Sequence, residues 1–161
     1  MKIVRADKHF YETSGGGVTI SGGEPTAQFD FCLALLKAAR AESIDTCLDT
    51  SGWFDSSQLE TLLPWVNLWH YDYKATGHSV HRKLTGVDSD TILLNLETLL
   101  DKGASVALRC PIVPGVNDTR AHLDQIAAWR KSGRFFSVEE LPYHKTGEPK
   151  YCDLGRGLPL C

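Results

Sequence analysis

An α/β fold built on a parallel sheet is predicted by three features of this 161-residue sequence. Strand-like and helix-like stretches alternate along the chain, which calls for helical crossovers between parallel strands. Polar residues gather where the strand-like stretches end, and in a β/α barrel those ends converge on one face. The segment GGGVTISGGEP, Gly15 to Pro25, packs five glycines around a β-branched run. Such density suits backbone that approaches a ligand closely or takes unusual dihedrals.

Each element has its own signal. Gly17 to Ser21 is a strand ended by the Gly22-Gly23 bend. Phe29 to Arg40 has apolar residues at helical spacing and a basic end. Asp45 to Gly52 is a strand closing in polar residues and glycine, and a helix follows with Asp55 or Ser56 as N-cap and Pro64 near its end. Val66 to Lys74 alternates as a strand. A helix runs from about Asp90 to Lys102 and stops at Gly103. The stretch SVALRCPIVPG is a fourth strand, expected to break at Pro111 and Pro114. A helix from about Thr119 to Lys131 and a fifth strand in FFSVEELPYH complete the order. The length fits one domain over residues 1–161.

Apolar content of 42% and a net charge of −3 point away from disorder and from a nucleic-acid footprint. No apolar run reaches the roughly 20 residues that span a bilayer. The polar start MKIVRADKHFYE is unlike a signal peptide, so the expected location is the cytoplasm. Five cysteines, Cys32, Cys47, Cys110, Cys152 and Cys161, are widely separated and include no C-x-x-C. That is neither a disulfide framework nor a zinc site. Cys32, Cys47 and Cys110 read as buried small hydrophobes.

The candidate site residues lie at the strand ends. Gly17 and Gly22 have phosphate-loop spacing, but Gly23-Glu24 stands in place of Lys-Ser/Thr, so triphosphate binding is not expected. Glu24 suits an ammonium or hydroxyl ligand, or a helix-start carboxylate facing the dipole. Asp49, Thr50 and Asp72 group hard oxygens fit for a small cation or polar ligand. The plainer roles are a turn residue for Asp49 and a partner for Lys74 in the case of Asp72. Arg109 ends an apolar strand, to pair with one of these carboxylates or meet an anionic ligand group. His144 follows LPY at the end of the fifth strand; His78, His81 and Arg82 read as an ordinary polar helix face. His70, His78 and His81 could be counted as a metal triad, without other support.

Taken together, FYETSGGGVTISGGEP, CLDTSGW, DYK, LTGVDSDTILLNLETLL, LRCPIVPGVND and LPYHKTGEPKY resemble the activating enzymes of glycyl-radical enzymes, the pyruvate formate-lyase activating enzyme group of the radical S-adenosylmethionine (SAM) proteins. The stretches run in family order over nearly the whole chain. The resemblance implies an incomplete parallel (β/α) barrel of about five strands. It implies that Gly22, Gly23 and Glu24 contact the methionine part of SAM and that Asp72, Tyr73 and Lys74 form the next wall. Arg109 would line the same pocket, with His144 near the ribose. Asp49, Thr50, His70 and Asp72 would match a monovalent cation site. The implied chemistry is cleavage of SAM by a reduced [4Fe-4S] cluster to a deoxyadenosyl radical, which abstracts hydrogen from a glycine of the partner enzyme. Flavodoxin or ferredoxin would donate the electron.

The family's C-x-x-x-C-x-x-C cluster motif does not occur in these 161 residues, and no two cysteines stand closer than nine positions. The expectation is therefore a chain inactive by itself, with an unpaired first strand that invites homodimerisation. Two other readings stay open: a non-catalytic module binding SAM or a peptide, and a barrel hydrolase or isomerase using Asp49, Asp72 and His144 as acid and base.

Overall fold

The structure, a computed structural model, describes residues 1–143. Five parallel strands form one open sheet in chain order: β1 (Gly17–Ile20), β2 (Asp45–Thr50), β3 (Leu68–Asp72), β4 (Val106–Ile112) and β5 (Ser137–Pro142). Helices α1 (Lys2–Ala6) and α2 (Lys8–Ser14) precede β1, and α3 (Phe29–Ala41) and α4 (Leu59–Leu62) follow β1 and β2. Next come α5 (His78–Thr85), α6 (Asp90–Asp101) and α7 (Arg120–Ser132). The α/β alternation expected from the sequence is present, as a sheet not closed among the described residues.

Registers run straight across the sheet. Thr50 lies opposite Tyr71 and Tyr71 opposite Leu108, while Asp49 faces His70 and Asp72 faces Arg109. Side chains alternate between faces with period two. Thr46, Leu48, Trp69, Tyr71, Leu108 and Cys110 therefore share one face, all buried at 2% exposure or less. That face is covered by Cys32, Leu36 and Ala39 of α3, Leu59 and Leu62 of α4, Ile92, Leu96 and Leu99 of α6, and Ile126 of α7. The other, inner face carries Cys47, Asp49, Leu68, His70, Asp72 and Arg109, all half-buried. Parallel sheets are normally covered on both faces; here the apolar load is on one side and the charge on the other.

Several expected details change. Residues 2–14 form two short helices that the sequence reading left unassigned. They are tied to the end of α3 by the Arg5–Glu42 ion pair at 2.8 Å and by Lys8 Nζ donating to the Glu42 carbonyl at 2.9 Å. β4 does not break at Pro111 but runs through it to Ile112. Alternate residues of β4 address β3 and β5: the Arg109 carbonyl accepts from Tyr73 N–H, the Ile112 carbonyl from Tyr143 N–H. Pro111 falls on the β3 side, past Asp72 where β3 ends, so its missing N–H forfeits no sheet bond. Cys47, expected to be buried, is half-exposed on the inner face. His81 is no surface residue: it is 3% exposed, with Nδ1 against the Val87 carbonyl and Thr85 Oγ1 at 3.0 and 3.1 Å.

The loop after β2 turns at Gly52, whose φ of 77° lies in the left-handed region. A Cβ there would also collide with the Tyr71 hydroxyl. That hydroxyl is fixed by donation to the Ile92 carbonyl at 2.6 Å, so it cannot yield cheaply. Gly52→Ala is expected to destabilise the fold by about 2–3 kcal/mol, read as a lower urea midpoint with unchanged slope.

Candidate functional site

The site lies where the parallel strands end together. β1 leaves the sheet through Gly22 and Gly23, both at positive φ (93° and 40°), with open space where each Cβ would be. Glycine is required at this bend by backbone conformation, and the two exposed residues leave their backbone accessible. Glu24 then turns its carboxylate back toward β2. Oε1 accepts from Thr50 Oγ1 and Thr26 Oγ1, both at 2.8 Å, and Oε2 accepts from Ser51 Oγ at 2.7 Å and Ser51 N–H at 2.9 Å. Glu24 also caps the 3₁₀ turn Pro25–Gln28 through Thr26 N–H. The expected helix-start carboxylate is present, whereas both carboxylate oxygens, expected to suit an ammonium or hydroxyl of a ligand, are engaged by hydroxyls of the chain itself.

On the inner face, Arg109 reaches from β4 across β3 to Asp49 on β2, with Nη1 2.9 Å from Oδ2. Lys74 Nζ stands 3.4 Å from Asp72 Oδ2. Burial pushes the Asp72 carboxyl above its ordinary value, opposed by the positive charges of Lys74 and Arg109. Asp49, His70, Asp72, Lys74 and Arg109 thus form a charged patch at the strand ends. The ion pairs are part-exposed, and such pairs contribute little to stability.

Two residues grouped with these by sequence turn away. Thr50 and Tyr73 follow Asp49 and Asp72 directly, so the pleat points their side chains to the helix-covered face. Thr50 is 2% exposed and bonded to Glu24; Tyr73 is 5% exposed and packs on Trp129 at 4.3 Å between ring centroids. Neither side chain joins the inner-face patch. Among the described residues no cluster of three or more His, Cys, Asp and Glu is arranged to hold a metal ion, the counted His70–His78–His81 set included. His78 instead pairs with Asp90 at 2.7 Å. His144, Cys152 and Cys161 lie outside the described residues.

The sequence reading missed the residues that fix this edge. Asn117, 4% exposed, donates from Nδ2 to the Lys74 carbonyl at 2.8 Å and the Pro111 carbonyl at 2.7 Å. Its Oδ1 accepts from Val113 N–H at 2.7 Å. One carboxamide thereby locks the exits of β3 and β4 together. Behind Lys74, the Tyr73 hydroxyl meets Thr76 Oγ1 at 2.7 Å, and Thr76 meets His122 Nδ1 at 2.9 Å. The Val-Pro-Gly-Val-Asn-Asp run was the available signal for Asn117; for His122 there was none.

The sequence profile of the radical SAM superfamily matches residues 2–127. The chain belongs to the radical SAM superfamily. It is 39% identical over 162 residues to the isethionate sulfite-lyase activating enzyme of Oleidesulfovibrio alaskensis, covering 99% of this chain and 52% of that protein. It is 37% identical over 158 residues to the (2S)-3-sulfopropanediol dehydratase activating enzyme of Klebsiella oxytoca, covering 96% and 50%. The chain thus spans about half the length of the curated relatives it matches. Its radical SAM fold superposes on a crystallised domain of pyruvate-formate lyase-activating enzyme from Bacteroides vulgatus with a TM-score of 0.71 at 26% identity, over 80% of this chain and 81% of that one. The resemblance to glycyl-radical activating enzymes and the five-stranded partial barrel are therefore established.

A radical SAM chain whose strand-end loop is held by a buried neutral histidine should be acid-sensitive. Burial lowers the pKa of His122 from the ordinary 6.5, so above about pH 6.5 both folded and unfolded states hold it neutral. As pH falls below that value the unfolded state takes up the proton first, and stability is lost until the lower folded pKa is passed. His122→Asn should flatten the stability–pH profile between pH 7 and 5 relative to wild type, measured by urea denaturation at each pH.

Proposed function

We propose that this chain supplies the SAM-binding face of a glycyl-radical enzyme activase. The reading is carried by the contrast between the sheet's two faces: one sealed by helices, the other open and charged where the strands end. Gly22 and Gly23 offer backbone at the bend, Asp72 and Lys74 offer a carboxylate and an ammonium group, and Arg109 adds a guanidinium; together these suit the amino and carboxylate groups of a methionine moiety. Glu24 acts by holding the bend against β2. The backbone around Tyr73 completes the wall, and His144 is proposed for the ribose. The monovalent cation site implied for Asp49, Thr50, His70 and Asp72 is not proposed, because Asp49, His70 and Asp72 do not converge as a metal-holding cluster, Asp49 is held by Arg109, and the Thr50 hydroxyl is held by Glu24 on the other face.

The described residues do not fit an iron–sulfur cluster. Cys32 and Cys110 are buried on the helix-covered face, where burial pushes their thiols up to about 11 and about 12. Cluster ligands are thiolates converging on one point, and Cys47 lies on the opposite face from both. Cys32, Cys47 and Cys110 are therefore not proposed as cluster ligands. The proposed partners are a glycyl-radical enzyme, offering its glycine loop to the strand-end face, and flavodoxin or ferredoxin as electron source, all in the cytoplasm. Among the described residues no helix is long and apolar enough to cross a membrane.

Anaerobic treatment of the purified chain with iron and sulfide should leave it colourless, and dithionite with SAM should release no 5′-deoxyadenosine. A segment bearing C-x-x-x-C-x-x-C, joined in frame or added in trans, should bring both colour and cleavage, and Asp72→Ala should then depress cleavage. Calorimetry should find SAM binding to the chain alone near millimolar, about 4 kcal/mol. Stoichiometric cluster absorbance from the unsupplemented chain would overturn the proposal.

The same reading includes a homodimer through β1. Among the described residues that strand pairs only with β2, and a groove whose lining includes Val4, Val18, Ile20, Leu35 and Ala39 runs beside it. Unpaired edges template association. Sedimentation should show a concentration-dependent dimer; a monomer at all concentrations, with slowly exchanging Val18 and Ile20 amides, would refute it.

A further inference from the structure

We infer that the cleft outside the end of β2 is a docking pocket for an arginine side chain of a protein partner. The cleft has a volume of about 490 Å³ and is lined by Trp53, Phe54, Asp55, Ser56 and Thr91. It lies apart from the inner-face charges, on the rim of the same strand-end edge.

Its distinguishing feature is an exposed indole on a rigid loop. Trp53 is 55% exposed, whereas Trp69 is fully buried. An exposed tryptophan on a loose loop would mean little, but the backbone on both sides of this one is fastened. The Ser51 N–H and hydroxyl are held by Glu24, and Gly52 N–H donates to Thr50 Oγ1 at 3.0 Å. Asn95, fully buried on α6, donates from Nδ2 to the carbonyls of Gly52 and Phe54 at 3.0 and 2.9 Å. Among the described residues its Oδ1 has no partner, a cost set against the two carbonyls that its Nδ2 holds. Phe54, 8% exposed, anchors the loop from below. The result is an indole carried on a fixed backbone, so that little loop ordering is left to be lost on binding, and tryptophan is among the residues enriched in binding hot spots.

Charge selects the occupant. Among the described residues Asp55 is the only ionisable one lining the cleft, and its carboxylate accepts from Ser57 N–H at 2.9 Å with acceptor capacity left toward solvent. Asp90, next to Thr91, is taken up by His78 at 2.7 Å, so the open carboxylate of the cleft is that of Asp55. An indole face beside an open carboxylate matches a guanidinium, which stacks on aromatic rings and bonds carboxylates in a planar fork. A partner lying over the strand-end face would reach this rim. In that respect the inference deepens the activase reading, yet the pocket itself needs neither SAM nor a cluster.

The test uses the full 161-residue chain, isotopically labelled for NMR, with the peptide acetyl-Gly-Ser-Arg-Ser-Gly-amide as probe and its citrulline counterpart as control. The arginine peptide should produce saturable shifts in the Trp53 indole and in the Asp55 and Ser56 amides, with an apparent Kd at least fivefold lower than for citrulline. Trp53→Leu, at an exposed position, should raise the Kd measured on the Asp55 and Ser56 amides at least tenfold. Asp55→Asn, which retains a capping oxygen, should remove the preference for arginine over citrulline. Equal responses to both peptides, or no saturable shift at residues 53–56, would overturn the inference. Neither result bears on SAM binding, so failure here is distinguishable from failure of the activase reading.

Discussion

Where parallel strands leave a sheet, the backbone groups that were paired inside it lose their neighbours together, and in this chain the Glu24 carboxylate takes over at the first such boundary. Its two oxygens gather Thr26, Thr50 and Ser51, joining the bend after β1 to the end of β2. Without that anchor the Gly22-Gly23 bend would be a pair of permissive residues with no preferred position. The anchor also sets Ser51, and through it the start of the loop that displays Trp53. Asn117 performs the corresponding task between β3 and β4. One carboxylate and one carboxamide therefore hold four strand exits in register, and the charged patch inherits its geometry from them.

The sheet divides its work between two faces. Trp69, Tyr71, Leu48 and Leu108 pack beneath helices on one side, supplying the apolar burial that drives folding. Asp49, Asp72, Lys74 and Arg109 sit on the other, where their mutual ion pairs satisfy charge while leaving it accessible. A ligand that displaced Lys74 from Asp72, or Arg109 from Asp49, would exchange one set of charged contacts for another. Such a site can be polar without destabilising the fold that carries it.

Much of the framework was legible in the chain. The alternation of strands and helices, the order of elements and the polar strand ends follow from periodicity and glycine placement, and the motif set identified the family. The site was legible as a collection of residues and less so as an arrangement. Arg109 was expected to find a carboxylate or a ligand, and it finds Asp49. Asp72 was given a plain role beside Lys74, and that contact is present. Thr50 and Tyr73, in contrast, were grouped with neighbours whose side chains point to the opposite face, because adjacency in sequence was read as adjacency in the site. His81 looked like a surface residue because a helix of mixed polarity does not announce which turn folds back over it.

The sequence by itself determined the fold class, the family and the residue types at each strand end, since these depend on local periodicity, turn chemistry and short motifs. The tertiary structure alone decided which side chains meet. Asn95 and Asn117 act on carbonyls 41 to 43 and 6 to 43 positions away, and an asparagine carries no sign in the sequence of whether such partners exist. Likewise the path of β4 through Pro111 depends on where β3 stops, a fact of pairing between strands. Hydrogen-bond satisfaction and burial are properties of the assembled sheet, and so the division between a sealed face and a charged one became visible only once the strands were set side by side.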